Sequence, residues 1–129
     1  MEKILTIWHP VLFVRFIRGG YITRYVSGYD LHGTLPFVLD GTCPPCTLEE
    51  TRKPEVLDIF LKSIDVGESL GFTFGDISCG NILVDESGCY LIDYDSIVPY
   101  PLPPAVGVVW RQTLESVFGR SDILEFEEE

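Results

Sequence analysis

Residues 75–95 read Gly-Asp-Ile-Ser-Cys-Gly-Asn-Ile-Leu-Val-Asp-Glu-Ser-Gly-Cys-Tyr-Leu-Ile-Asp-Tyr-Asp. Asp76 and Asn81 lie on a Gly-containing loop, followed by a short apolar run from Ile82 to Val84. The turn residues Asp85-Glu86-Ser87-Gly88 come next, then a second apolar run, Tyr90 to Ile92, that ends on Asp93. Short apolar runs separated by a turn cluster predict a β-hairpin. That hairpin would deliver two carboxylates and one amide, from Asp76, Asn81 and Asp93, to a common edge, with Asp95 close behind. The plain alternative is an ordinary hairpin with acidic turn residues.

An acid near an attacking hydroxyl, with an amide and a second acid to hold magnesium on phosphates, is the set that phosphoryl transfer uses. The segment resembles the catalytic loop and metal-binding hairpin of the protein-kinase-like superfamily, including small-molecule kinases of the aminoglycoside-phosphotransferase type. Asp76 and Asn81 match its Asp-x4-Asn pattern, and Asp93 matches the acid at the end of the next strand. Tyr94-Asp95 stands where Phe-Gly is usual, closer to the Asp-x-Asp of atypical members, and Phe74 replaces the usual His two residues before the catalytic Asp. The resemblance implies Asp76 as catalytic residue, Asn81, Asp93 and Asp95 as Mg²⁺ ligands, ATP as cofactor, and Val26, Ser27 and Gly28 as an adenine-contacting hinge.

The expected fold class is α+β: a kinase C-lobe-like core with a short N-terminal β-hairpin, one or two main helices, and the hairpin carrying the site residues. A length of 129 residues suits one domain with a real core. It divides into a hairpin and hinge-like segment (1–28), a C-lobe-like core (29–119) and an acidic tail (120–129). Hydrophobic content of 46% argues for a folded chain. A net charge of −11 argues against binding a nucleic-acid backbone. The C-terminal Glu125-Phe126-Glu127-Glu128-Glu129 reads as a solvated tail, with a docking element as the alternative.

Residues 4–17 are rich in Ile, Leu, Val and Phe, but His9-Pro10 and Arg15 interrupt them. They are too short and broken for a membrane span and read as strand, so the expectation is a cytoplasmic protein without membrane attachment. Cys43-Pro44-Pro45-Cys46 has metal or redox spacing. Free thiols, a Cys43–Cys46 redox pair, and a zinc site completed by Cys79 and Cys89 all stay open.

Along the chain, Val11–Ile17 and Tyr21–Val26 predict a hairpin turning at Gly19-Gly20. Tyr29-Asp30-Leu31 leads toward a short helix, and residues 33–53 read as an irregular connection in which Thr47 and Glu50 have capping-box spacing. Pro54 suits a first helical position. Val56, Leu57, Phe60, Leu61 and Ile64 predict an amphipathic helix ending near Gly67 or Gly71. Val98–Pro104 is too rich in proline for a helix or a central strand. Val108–Phe118 predicts a second helix ended by Gly119. His9 and His32 read as surface residues, and Trp8 and Trp110 as core or interface.

A Gly-x-Gly-x-x-Gly loop and a Val-Ala-x-Lys strand are absent from the sequence. The family uses both to hold and neutralise a triphosphate, and losing one positioned electrostatic group costs about 10²–10³ in rate. Three carboxylates close together (Asp76, Asp93, Asp95) are expected to bind a cation or carry a raised pKa. The leading expectation is a truncated, pseudokinase-like module that is non-catalytic or partner-dependent. Its expected partner is another protein or a second copy of itself. The alternatives are an active Mg-ATP-dependent phosphotransferase completed by a partner, and an acidic interaction protein with vestigial kinase resemblance.

Overall fold

A computed structural model describes residues 5–31 and 48–124, a mixed α+β structure with two helices and several small antiparallel sheets. In chain order the strands are β1 (Leu5–Ile7), β2 (Val14–Ile17), β3 (Gly20–Thr23) and β4 (Tyr29–Asp30). Helix α1 (Lys53–Leu70) leads into β5 (Phe72–Phe74), β6 (Ile82–Val84), β7 (Cys89–Leu91) and β8 (Ile97–Pro99), and α2 (Pro104–Phe118) closes the described fold.

The first sheet has the order β1-β2-β3, one strand more than the expected hairpin. Its turn is Arg18-Gly19, with Gly19 at φ +87, a left-handed conformation that glycine adopts without steric cost. Gly20 is therefore already strand, and β3 stops at Thr23, short of the expected Val26. The core-facing row is Val14, Phe16 and Tyr21. Phe16 meets Phe72 edge-on at 6.2 Å, and Tyr21 meets Tyr94 at 5.7 Å. Edge-to-face pairs of this kind add about 0.5–1.5 kcal/mol each beyond area burial, enough to anchor a small sheet.

The short helix expected to follow Tyr29-Asp30-Leu31 lies outside the described residues, and Tyr29-Asp30 itself is extended. It forms β4 and pairs with β6 (Tyr29↔Val84, Asp30↔Leu83), giving a second sheet of order β4-β6-β7. Gly28 makes that pairing possible, because a Cβ there would stand 1.8 Å from the Val84 carbonyl oxygen. The hairpin itself forms as the sequence predicts, with Ile82↔Leu91 and Val84↔Cys89 in register. Asp85 Oδ1 closes its turn by accepting from the Ser87 and Gly88 amides at 2.7 and 2.9 Å, an Asx-type turn.

Pro54 falls in the first turn of α1, and Gly71, at φ +81, ends it by donating to the Gly67 carbonyl at 2.8 Å. The buried face differs from the expected one. Val56, Ile59, Phe60, Ser63, Val66 and Gly67 point inward, whereas Leu61 is exposed. Ser63 accounts for the rotation: its hydroxyl meets Thr73 Oγ1 at 2.6 Å within the core. A buried hydroxyl pair satisfies itself, so a serine can face the core at little cost. Gly67 lies inside the helix where the Tyr100 ring packs close.

Ile97–Pro99 forms an edge strand with β5 in a two-stranded sheet, where proline is tolerated because one side of the strand needs no donor. α2 begins four residues earlier than its apolar spacing predicts, since Pro103 and Pro104 occupy the start positions that proline favours, and Gly119 at φ +72 ends it. Trp110 is fully buried against Phe60 at 5.1 Å, while Trp8 is exposed and touches Phe13 edge-on. None of the described helices is long and apolar enough to cross a membrane.

Candidate functional site

The segment from Thr73 to Asn81 is held from several directions. β5 ends at Phe74, and the Phe74 carbonyl accepts from Trp110 Nε1 at 3.2 Å. The Phe74 amide lies 3.5 Å from Ser63 Oγ, and the Gly75 amide donates to the Ser96 carbonyl. Beyond Asp76, the Ile77 carbonyl accepts from Thr113 Oγ1 at 2.8 Å. Trp110, Thr113, Ser63 and Ile77 are all buried. Hydrogen bonds closed off from water leave the loop few alternative conformations, because opening it would strand polar groups.

Asp76 and Asn81 do converge. Asn81 Nδ2 donates to Asp76 Oδ2 at 2.8 Å and to the Asp76 carbonyl at 3.1 Å. One short 3₁₀ turn, Cys79–Asn81, carries the chain between them, and the Asn81 amide donates to the Ser78 carbonyl. The Ile92 amide donates to the Asn81 carbonyl at 2.8 Å, extending the hairpin ladder by one step and bringing Asp93 to the same end. With its amide nitrogen engaged on Asp76, Asn81 keeps Oδ1 available as an acceptor.

Asp93 sits at φ +62, the one non-glycine left-handed residue among those described. That conformation costs about 1–2 kcal/mol for most side chains, and less for Asp, which bonds locally. Here Asp93 Oδ1 accepts from the Asp95 amide at 3.4 Å. Backbone strain of this kind concentrates where a side chain must be aimed. Asp93 and Asp95 are exposed, and Asp76 is half-buried.

The expected crowding of three carboxylates is not met. Among the described residues there is no group of three His, Cys, Asp or Glu side chains able to hold a metal ion. What the hydrogen bonds join is Asp76 with Asn81; Asp93 follows the Ile92 amide that bonds the Asn81 carbonyl, its carboxylate turned to the Asp95 amide. Carboxylate and amide oxygens are hard donors of the kind Mg²⁺ takes, since Mg²⁺ keeps several waters and completes its shell with phosphate oxygens.

Val26, Ser27 and Gly28 cross from the first sheet to the second. Ser27 and Gly28 line an open groove of about 570 Å³ together with Tyr29, Arg52 and Asp85. A neighbouring groove of about 300 Å³ runs along Tyr29, Leu31, Leu48 and Arg52. Both lie at the Val84 end of β6, the opposite end from Asn81, and neither is lined by Asp76, Asn81 or Asp93. Leu31 links the two ends, its amide donating to the Cys79 carbonyl at 3.1 Å.

Cys79 and Cys89 are buried free thiols. Burial, reinforced by the Glu55 carboxylate 3.8 Å away, pushes the Cys89 thiol up to about 12, so it stays protonated and poorly nucleophilic. Cys43, Cys46, His32 and the Thr47 cap lie outside the described residues, as does the Glu125–Glu129 tail. His9 is half-buried and accepts from the Val11 amide, and burial first, then Lys62, lowers its pKa. Sequence reasoning passed over Ser63 and Thr113, and read Trp110 as core or interface without its bond to the site loop. Each bonds a residue 10 to 36 positions away, which no local pattern signals.

A scan against protein-family models and a search of curated proteins gave no match to this chain.

Proposed function

We propose that this chain is a kinase-like module that binds Mg²⁺ and the phosphates of a nucleotide at the Asp76–Asn81–Asp93 end of the hairpin. In this reading it acts with a protein partner rather than completing phosphoryl transfer alone. The observation that carries the proposal is the double hydrogen bond from Asn81 Nδ2 to Asp76, with the Ile92 amide on the Asn81 carbonyl and Asp93 next in the chain. Asn81 Oδ1 and Asp93 would hold the cation, which when bound would neutralise phosphate charge. Asp76 would orient an acceptor hydroxyl or an ordered water. The left-handed Asp93 and the buried bonds around residues 74–77 support a loop aimed in advance of ligand.

Partner dependence is supported by what does not surround the site. Neither groove reaches it, and the described residues offer no lysine beside Asp93 to clamp a phosphate. Calorimetry with Mg²⁺ alone, ATP alone and Mg·ATP tests the reading. Binding that requires both and vanishes in Asp93→Ala supports it, while no heat under any of the three conditions removes it. If wild type transfers labelled phosphate to added proteins and Asp76→Ala does not, the active phosphotransferase replaces the non-catalytic module.

A further inference from the structure

Charge is divided unevenly along this chain. Residues 3–29 hold four of the 9 basic residues (Lys3, Arg15, Arg18 and Arg24) and none of the 20 acidic ones. The first sheet is therefore a basic element in a protein of net charge −11. Its outer face carries the row Thr6↔Arg15↔Ile22, followed by Ile17 beside Gly20. Ile22 is 53% exposed and Ile17 41%, with Arg15 and Arg18 exposed around them. Arg15 Nε donates to Thr6 Oγ1 at 3.1 Å within the same face, and the Arg24 guanidinium lies over the Phe13 and Tyr90 rings. β3 is an edge strand. Two exposed isoleucines, Ile22 on the edge strand β3 and Ile17 at the end of the central β2, rimmed by arginines, make a surface suited to an acidic, partly apolar partner.

The complementary surface lies on the same molecule. The outer stripe of α1 presents Asp58, Leu61, Asp65 and Glu68 at helical spacing, all exposed, with Leu61 at 46%. Lys62 bonds Asp65 at 3.2 Å and neutralises part of the stripe, leaving Asp58 and Glu68 to set its sign. We propose that the outer face of the β1–β2–β3 sheet docks the α1 stripe of a second copy of this chain. Arg15 and Arg18 would face Asp58, Asp65 and Glu68, and Ile17 and Ile22 would cover Leu61. Long-range repulsion between two acidic chains fades beyond about 8 Å at physiological salt, while contact pairs persist. Two such contacts about a two-fold axis close a dimer. This names the partner left open in the reading above, and it concerns a surface separate from Asp93.

Sedimentation of the whole chain from micromolar to millimolar concentration, at physiological salt, is the test. Wild type is expected to form a dimer. The paired variants Arg15→Glu/Arg18→Glu and Asp58→Lys/Asp65→Lys are each expected to weaken it about tenfold or more, and mixing the two variants restores a heterodimer. Ile22→Ser, which leaves charge untouched, weakens it as well. A wild type that stays monomeric to millimolar concentration overturns the proposal. So does a dimer indifferent to both charge variants, or a mixture that fails to re-associate. Mg·ATP titration of the same samples separates the two readings: a dimer that binds no Mg·ATP refutes the metal site alone, and a monomer that binds it refutes only the interface.

Discussion

Gly28→Ala is the substitution with the sharpest structural consequence. The new Cβ would begin 1.8 Å from the Val84 carbonyl oxygen and 2.5 Å from its carbon, where real contacts stay beyond 3.0 Å. Both opposing atoms are backbone, so no side chain can swing aside. The chain at residue 28 must move away from β6, taking β4 with it and stretching the Tyr29↔Val84 and Asp30↔Leu83 pairing. Overpacking together with one or two weakened ladder bonds costs about 3 kcal/mol. With a urea slope of about 2 kcal/mol/M, the midpoint falls by about 1.5 M, an easily resolved shift. Trp110 is fully buried, and its fluorescence reports the transition. Because the Leu31 amide bonds the Cys79 carbonyl, the variant should also weaken Mg²⁺ binding at folded concentrations. A Gly28→Ala midpoint within error of wild type would refute the reasoning about β4 and its approach to β6.

Thr113→Val keeps the side-chain shape but strands the Ile77 carbonyl, so a loss of about 1–3 kcal/mol is expected, with Thr113→Ser recovering most of it; a smaller loss by urea unfolding would mean water replaces the hydroxyl. Asp93→Gly should be more stable than Asp93→Ala by about 1 kcal/mol, since only glycine is at ease at φ +62, yet both should lose Mg²⁺ binding by calorimetry. Asn81→Asp sets a second carboxylate against Asp76 where an amide now donates at 2.8 Å, so its thermal midpoint should fall and then recover on adding Mg²⁺; no recovery counts against a cation there. Burial raises Cys89 and Tyr94 to about 12, so the unfolded chain releases these protons earlier than the folded one. Stability should therefore hold below about pH 9 and decline as pH rises toward 12, and Cys89→Ala should flatten that decline in pH-dependent unfolding.

Elements defined by near neighbours were legible in the sequence. Pro54 and Gly71 bracket α1, Gly119 ends α2, and the runs around Asp85–Gly88 pair as a hairpin, because each signal acts within a few residues. The meeting of Asp76 with Asn81 follows from the same short range. What escaped was decided across the fold. The turn of α1 toward Ser63 depends on Thr73, and β4 exists because Gly28 permits close approach to a strand more than 50 residues later. The expected three-acid cluster failed for a local reason: the left-handed turn at Asp93 uses its carboxylate to cap the Asp95 amide, and Asp95 lies exposed beyond it.

β6 is three residues long and central in its sheet, with Asn81 before its first residue and Gly28 against its last. At about 3.3 Å per residue it works as a gauge of about 10 Å. A bound molecule shorter than that can touch one end or the other but cannot bridge them. On the proposed reading, a ligand seated near Ser27 would need a chain of that length to register changes at Asp93.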